Sequence, residues 1–398
     1  MNRIELAGRE ILLDEVRGNP GRYGRLFDEA RIALGHAFCL CRDPDKLRIV
    51  IRRTGQTFSL ARWPLEGPRH DIDCDFHATE VHLSGADGYT REAIEIKDGS
   101  LNIKGAFSLS HRVGDVEAPT PANIGADQGS RKKRNAAGLL GILHVLWDVP
   151  KLNYWHPRWS RDWSRVHYEL TKVLSGKING QSLRASVYVI PQFREAEKDA
   201  NDKAFEDFLG TLVPRDNVVQ RGLLVFEVKE IGDTKHGFSI ALRHSRHRVF
   251  GSNVLRDQLR KSYRSAYPAI GRAGSHVIGL ALIERNPNGY IIAKQMALML
   301  TGNKFIPADS SYEVDMAAAL IKAGRVFFKP LRYEGVGDFP DFVLTDERDD
   351  VFVEVYGMVG HDEYDPRMQA KREDYVKRGV RVVEWIPPAE IPDMSKRG

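Results

Sequence analysis

Apolar residues come in short runs along most of this chain, and the spacing inside each run assigns its element. Leu47 to Arg53 and Thr57 to Arg62 predict a β-hairpin around Thr54-Gly55. A stretch rich in Pro, Gly and Ala runs from about Gly114, followed by two helices and then strands at Leu183 to Ile190, Gly222 to Ile231, Gly237 to Arg243 and His276 to Arg285. Ser252 to Tyr267 is helical in pattern, with Leu255, Leu259, Tyr263 and Ala266 inward and Arg256, Arg260 and Arg264 along one stripe. Near the end, Ser310 to Ala323 predicts a helix with Val314, Ala317, Leu320 and Ile321 inward, and Arg325 to Leu331 a strand. Two apolar runs follow, Pro340 to Leu344 and Val351 to Gly357, separated by the polar segment Thr345 to Asp350. A polar loop, Met358 to Asp365, then leads through Pro366 into a basic helix ending near Gly379, and Val380 to Ile386 is a last strand.

A chain of 398 residues with 42% hydrophobic content has room for two or three domains with real cores. No run approaches the apolar length of a membrane span. The first ten residues are charged and lack a signal-peptide core, and three cysteines argue against a disulfide framework. The expected location is the cytoplasm. No membrane partner is expected, and nothing in the residues names a protein partner.

The chemistry begins with Asp341, at the head of one apolar run, and Glu354, inside the next. Two carboxylates on adjacent strands are what a hydrolytic metal site needs. Alternation puts Phe352, Glu354 and Tyr356 on one face of their strand, so Glu354 needs a metal or a basic partner to offset burial. The order helix, three strands, helix, strand around this pair resembles the PD-(D/E)XK nuclease superfamily over about the last quarter of the chain. That resemblance implies a divalent cation, Mg²⁺ or Mn²⁺, on Asp341 and Glu354, with Glu313 as the first-helix carboxylate. Tyr356 stands where the superfamily has its lysine, and Lys371 on the following helix is the candidate for a migrated one. Structural alternatives accompany each residue: Asp341 as a turn residue, Glu313 as the far end of a capping box begun by Ser310, Lys371 as one charge of a solvated face.

A literal E-x-K also occurs upstream, in Leu223 to Lys229, with Asp216 before it. Asp216 lies in a loop-like stretch, and the alternation of Glu227 and Lys229 with apolar residues reads as an ordinary half-exposed strand.

All three cysteines fall in the first fifth of the chain. Cys39 and Cys41 are two apart and point to one side of an extended segment, while His70 and Cys74 supply a second pair. Three thiolates and an imidazole make a closed, structural zinc site, with His36 and His77 as spare ligands and a trio of unligated buried cysteines as the alternative.

Net charge is only +5, so a nucleic-acid partner, DNA first, rests on local clusters: Arg131, Lys132, Lys133 and Arg134; Arg243 to Arg248; and the Arg256, Arg260, Arg264 stripe. The alternative for each is a solvated face. Trp147, Trp155, Trp159 and Trp163 are expected to anchor packing.

Cys39-Leu40-Cys41-Arg42, the strand Leu60 to Pro64, Gly67, His70 with Cys74, the Gly138 to Trp147 helix, Tyr154-Trp155-His156-Pro157 and Phe226 to Glu230 together resemble domain-of-unknown-function family 1173. The resemblance covers essentially the whole chain and implies a bacterial setting on plasmids and integrative elements, with no assigned activity. The expected architecture is α+β and multidomain: a zinc-ribbon-like β module (1–113), a linker (114–135), a mixed α/β central region (136–304) and a PD-(D/E)XK-like domain (305–398). The expected function is a metal-dependent DNA nuclease, and the alternative is a non-catalytic nucleic-acid-binding or adaptor protein with a degenerate nuclease fold.

Overall fold

The computed structural model describes residues 2–42, 44–54, 57–63, 66–71, 73–77, 89–90, 93–97, 100–112, 135–333, 339–347, 349–357 and 365–396. The basic cluster Arg131 to Arg134 and most of the expected linker lie outside them. The architecture is mixed α+β, with several sheets and nine α-helices among the described residues. The chain divides into two compact units, Met1–Ser84 and Gly85–Gly398.

The smaller unit comprises β1 (Arg3–Leu6), β2 (Arg9–Leu12), α1 (Leu13–Gly18), α2 (Gly24–Ala33), β3 (His36–Arg42), β4 (Asp45–Thr54) and β5 (Thr57–Arg62). Its antiparallel sheet runs β2-β1-β3-β4-β5 and includes the expected hairpin. Ile4, Leu6, Leu13, Phe27, Leu47 and Ile49 fill the core between sheet and helices.

The larger unit runs β6 (Ile94–Lys97), β7 (Ser100–Ile103), β8 (Ser110–Arg112), α3 (Leu139–Asp148), β9 (Tyr154–Trp155), α4 (Trp163–Lys172), β10 (Gly176–Ile178), β11 (Gln181–Ser182), α5 (Leu183–Ser186), β12 (Val187–Val189) and α6 (Lys198–Gly210). It continues through β13 (Val218–Gln220), β14 (Gly222–Thr234), β15 (Gly237–Leu242), β16 (Arg248–Gly251), α7 (Asn253–Ser262), β17 (Ser275–Arg285), β18 (Ile291–Gly302) and β19 (Pro307–Ala308). Last come α8 (Ser311–Lys322), β20 (Phe327–Phe328), β21 (Phe342–Leu344), β22 (Val351–Val355), α9 (Asp365–Lys377) and β23 (Arg381–Trp385).

In the central region, β14, β15, β16, β18 and β17 pair in turn and β17 returns to β14, so the five strands form a closed circuit. Such closure removes free edges. β12 joins β14 in parallel. The long strand β18 was not anticipated, and half of the expected strand at Leu183 is helical because the Ser182 hydroxyl caps α5 by accepting from Ala185 N–H. β7 pairs in parallel with β10 of the central region, with Gly176 at φ +106° so close that a Cβ would lie 2.3 Å from the Leu101 carbonyl oxygen.

The C-terminal sheet has the order β23-β22-β21-β20-β9, so Tyr154–Trp155 supplies its outer strand from far upstream. α8 precedes its local strands and α9 joins β22 to the parallel strand β23, matching the order of elements legible in the sequence. The expected strand at Arg325 to Leu331 shortens to Phe327–Phe328; Lys329 N–H still bonds the Asn153 carbonyl opposite it, and Pro330 has no N–H to carry the ladder on.

Candidate functional site

In the smaller unit, β3 carries Cys39 and Cys41, and a turn brings His70 and Cys74 to them. That turn is held by Cys74 N–H donating to Asp71 O and by the Asp71 carboxylate accepting from Asp73 N–H. One ligand atom from each of the four residues falls within a sphere of mutual separations below 4.8 Å. The Cys39 and Cys74 sulfurs are 3.5 Å apart, and His70 Nδ1 lies 3.4 Å from Cys41 Sγ and 3.6 Å from Cys74 Sγ. A tetrahedral zinc site needs edges of about 3.8 Å between sulfurs and about 3.6 Å between sulfur and nitrogen, given the usual bond lengths. The four residues therefore fit zinc with little adjustment.

The protonation chemistry agrees. Hydrogen bonding from Cys39 and Cys74 pulls the Cys41 thiol down, while bonding to Cys41 pushes Cys39 up to about 11 and bonding to Cys39 and Cys41 raises Cys74 further. Three crowded sulfurs keep one thiolate among them unless a cation ionises the rest. Asp71 N–H and Phe76 N–H already donate to Cys41 and Cys74 sulfur, as they would to bound thiolates. Neither spare ligand joins the group, and His36 Nδ1 instead meets the Leu34 carbonyl.

The second cluster is built on the C-terminal sheet. β21 and β22 pair with Phe342 opposite Val353, and Asp341 N–H donates to Val353 O. The Asp341 carboxylate is pinned by Val355 N–H at 2.8 Å, so it stands beside the strand that carries Glu354. Glu354 is 2% exposed, and its carboxylate receives Lys371 Nζ at 2.8 Å and the Tyr375 hydroxyl at 2.6 Å, both from α9. Burial pushes the Glu354 carboxyl up to about 7, with the Asp341 charge adding and Lys371 and Tyr375 opposing. The Tyr356 hydroxyl bonds Glu384 and its ring lies under Arg372.

Glu313 forms one half of the expected capping box, and its carboxylate turns to Asp309 and Lys329. Its N–H donates to Ser310 Oγ at 3.2 Å, closing the N-cap, while its carboxylate accepts from Asp309 N–H at 3.0 Å and from Lys329 Nζ at 2.8 Å. Burial raises the Glu313 carboxyl to about 8 against the pull of Lys329. Lys329 also reaches Asp309 at 3.0 Å and Asp341 at 3.7 Å, and Arg332 approaches Asp309 and Asp341 at 3.4 and 3.8 Å. Sequence reasoning missed Lys329, Asp309 and Arg332. The one local signal for Lys329 is a charge closing the apolar run Val326-Phe327-Phe328.

The upstream E-x-K proves different from a half-exposed strand. Every residue from Gly222 to Val228 is buried, and Glu227 is 2% exposed while Lys229 faces solvent. Glu227 holds His276 Nδ1 at 2.7 Å, His244 Nε2 at 3.3 Å and the Arg243 guanidinium. Burial raises its carboxyl, but the two histidines and Arg243 outweigh that and bring it down to about 2. Asp216, at φ +49°, sits in the turn before β13, as expected of a loop residue.

Among the described residues, acidic partners take up the Arg243 to Arg248 cluster and Arg256. Arg243 and His244 serve Glu227, Arg246 meets Asp202, His247 meets Glu206 and Arg248 meets Glu230. Arg256 pairs with Asp233, and Arg260 lies over the Tyr267 ring. Arg264 falls beyond the last residue of α7 and bonds the Lys261 carbonyl, so it does not extend the helical stripe. Trp147, Trp155 and Trp163 are buried, in line with packing.

Among the described residues, no helix is long and apolar enough to cross a membrane. No curated protein and no solved structure matches the chain. A family model described as "Protein of unknown function (DUF1173)" matches residues 15–387.

Proposed function

The chain belongs to the DUF1173 family of proteins of unknown function, and we propose that it is a divalent-metal-dependent nuclease acting on DNA through its C-terminal cluster. The observation that carries this reading is the reach of Lys371: from α9 its amine meets the buried carboxylate of Glu354 next to Asp341. The lysine missing from β22 thus has a stand-in on the helix, as some PD-(D/E)XK members have. Burial, the largest cause of the upward push on Glu354, with the Asp341 charge adding to it, makes a further cation beside this pair favourable.

In this mechanism Asp341 and Glu354 would hold Mg²⁺ or Mn²⁺, all-oxygen donors of the kind these ions take. Such an ion, when bound, would polarise the scissile phosphate and ease ionisation of a water. Lys371, 15% exposed, stands at the mouth of the cluster and would offset charge developing on the phosphate. Tyr375 orients Glu354 through its 2.6 Å hydrogen bond. The cysteine–histidine group would carry a structural zinc ion, with no open position for a reaction. A bacterial mobile element and the cytoplasm are the setting this reading implies.

The test is cleavage of plasmid and linear DNA by purified protein with Mg²⁺ or Mn²⁺, alongside Asp341→Ala and Glu354→Ala. Loss of cleavage in both variants supports the reading, and equal activity in all three proteins refutes it. A second reading is favoured by Tyr356, which stands in the lysine position and gives its hydroxyl to Glu384: a nucleic-acid-binding adaptor with a degenerate site. Salt-sensitive, metal-independent DNA binding without cleavage distinguishes it.

A further inference from the structure

Glu227 lies at the centre of a second cluster, which the C-terminal site does not use. A circuit of four rings closes on its carboxylate: His276 stacks on Phe305 at 4.4 Å, Phe305 lies 5.7 Å from Trp163, Trp163 stacks on His244 at 5.9 Å, and both histidines bond Glu227. The two apolar rings are fixed from behind. Trp163 Nε1 donates to Ile190 O at 2.8 Å, and Phe305 is held at φ +58°, with its N–H on Gly302 O and its carbonyl accepting from Trp147 Nε1 at 3.1 Å. A left-handed backbone is costly for an aromatic residue and persists where the surroundings over-determine it, often at a functional site. The polar side of the circuit reaches water. Arg243, which meets Glu227 through Nε, is 40% exposed, and His276 is 25% exposed. Among the described residues, no acidic side chain other than Glu227 pairs with Arg243, His244 or His276.

We propose that Arg243, His244 and His276 form a phosphate-binding site, with Glu227 holding the three side chains from beneath. One buried carboxylate takes a single nitrogen of each imidazole, Nδ1 of His276 and Nε2 of His244, and so fixes both rings with the other nitrogen available to a ligand. The planar fork of Arg243 suits two phosphate oxygens, and an imidazole that takes up a second proton adds an N–H on its outer nitrogen while the inner one stays on Glu227. Three basic groups facing one carboxylate accommodate a further anion without leaving a charge unanswered. The phosphate belongs to a small phosphorylated molecule or to a nucleic-acid backbone. Its site is separate from the C-terminal cluster, since the residues come from β14, from β17 and from the chain just after β15, and it needs no metal ion.

The experiment follows the imidazole resonances of full-length protein labelled at histidine, with His244→Gln and His276→Gln assigning the two signals. The protein is titrated with inorganic phosphate at constant ionic strength, chloride being the balancing salt, and separately with a short single-stranded DNA oligonucleotide that has no terminal phosphate. Inorganic phosphate is expected to shift both signals saturably, and Arg243→Met to weaken that binding about tenfold or more, as for loss of a hydrogen bond to a charged group. Shifts with the oligonucleotide assign the phosphate to a nucleic-acid backbone, and shifts with inorganic phosphate alone assign it to a small phosphorylated ligand. No shift with either probe overturns the proposal, as do equal shifts with chloride or an affinity unchanged in folded Arg243→Met. Should Arg243→Met fail to fold, His276→Gln read at the His244 signal takes its place, and unchanged affinity there overturns the proposal as well. Metal-dependent cleavage is measured separately, so failure here leaves the nuclease reading where it was.

Discussion

The amine of Lys371 lies 2.8 Å from the carboxylate of Glu354, although α9 and β22 are separate elements and the partners are 17 residues apart. The same amine donates to the Phe339 carbonyl at 2.6 Å, so two of its three protons are directed inward. Removing it leaves a buried carboxylate with Tyr375 alone. Lys371→Met should cost about 2–3 kcal/mol, toward the low end for breaking a buried pair because Lys371 keeps some exposure. Urea unfolding measures this, and the double variant with Glu354→Gln should lose less than the two single losses together.

Zinc should be measurable directly. Protein purified without chelators is expected to carry one zinc per chain by elemental analysis, and Cys39→Ser or Cys74→Ser to carry much less. A strong chelator should lower the melting temperature of wild-type protein and leave that of Cys74→Ser nearly unchanged, since metal binding and folding of so small a site are coupled.

Glu227 predicts an acid limit. Its carboxyl is held down to about 2, below the ordinary 4.5, so its stabilising contribution is complete above the unfolded value and disappears as pH falls from about 4.5 toward 2. The amount at stake is about 3 kcal/mol. Glu227→Gln should flatten the stability curve over that window, as read by denaturant midpoints at successive pH values.

Arg325 is the fourth test. Its guanidinium, 2% exposed, joins Asp346 at 2.8 Å, Glu347 at 2.7 Å and the Met394 carbonyl at 2.9 Å. Arg325→Met leaves Asp346 with the Val326 N–H and Glu347 with Arg381, so the loss falls mainly on Asp346 and should be about 3 kcal/mol, the low end for breaking a buried pair. Arg325→Lys should recover only part of this, since an ammonium cannot reproduce the forked contacts. Thermal and urea unfolding of both variants check it.

Much of the C-terminal sheet was legible because each element announces itself locally. Apolar periodicity marked α8, and the Val- and Phe-rich runs marked β21 and β22 to within a residue or two. The cysteine–histidine pairs that could hold a metal were legible because all three cysteines fall in the first fifth of the chain, two of them side by side on one strand face. Burial of Glu354 was also readable, from its place between Phe352 and Tyr356 in an unbroken apolar run. Of the partners of the buried carboxylates, Lys371 was named from the superfamily resemblance, and Lys329 was not. Asn153 and β9 reach Lys329 and β20 from more than 170 residues upstream, and no local pattern encodes that meeting.

Glu227 marks the boundary most clearly. In sequence it alternates with Lys229 as a surface strand would, yet β17 covers it on one side and the end of β15 brings Arg243 and His244 onto it from another. The sequence by itself determined many of the strands and helices, β21, β22 and α8 among them, where the cysteines can meet, and that one carboxylate must be buried on β22. Only the tertiary structure decided which cations answer the other buried carboxylates: Lys329 for Glu313, and two histidines with an arginine for Glu227. The reason is physical: periodicity records whether a side chain leaves water, a property of its own element. The charge that compensates it depends on which distant elements pack alongside.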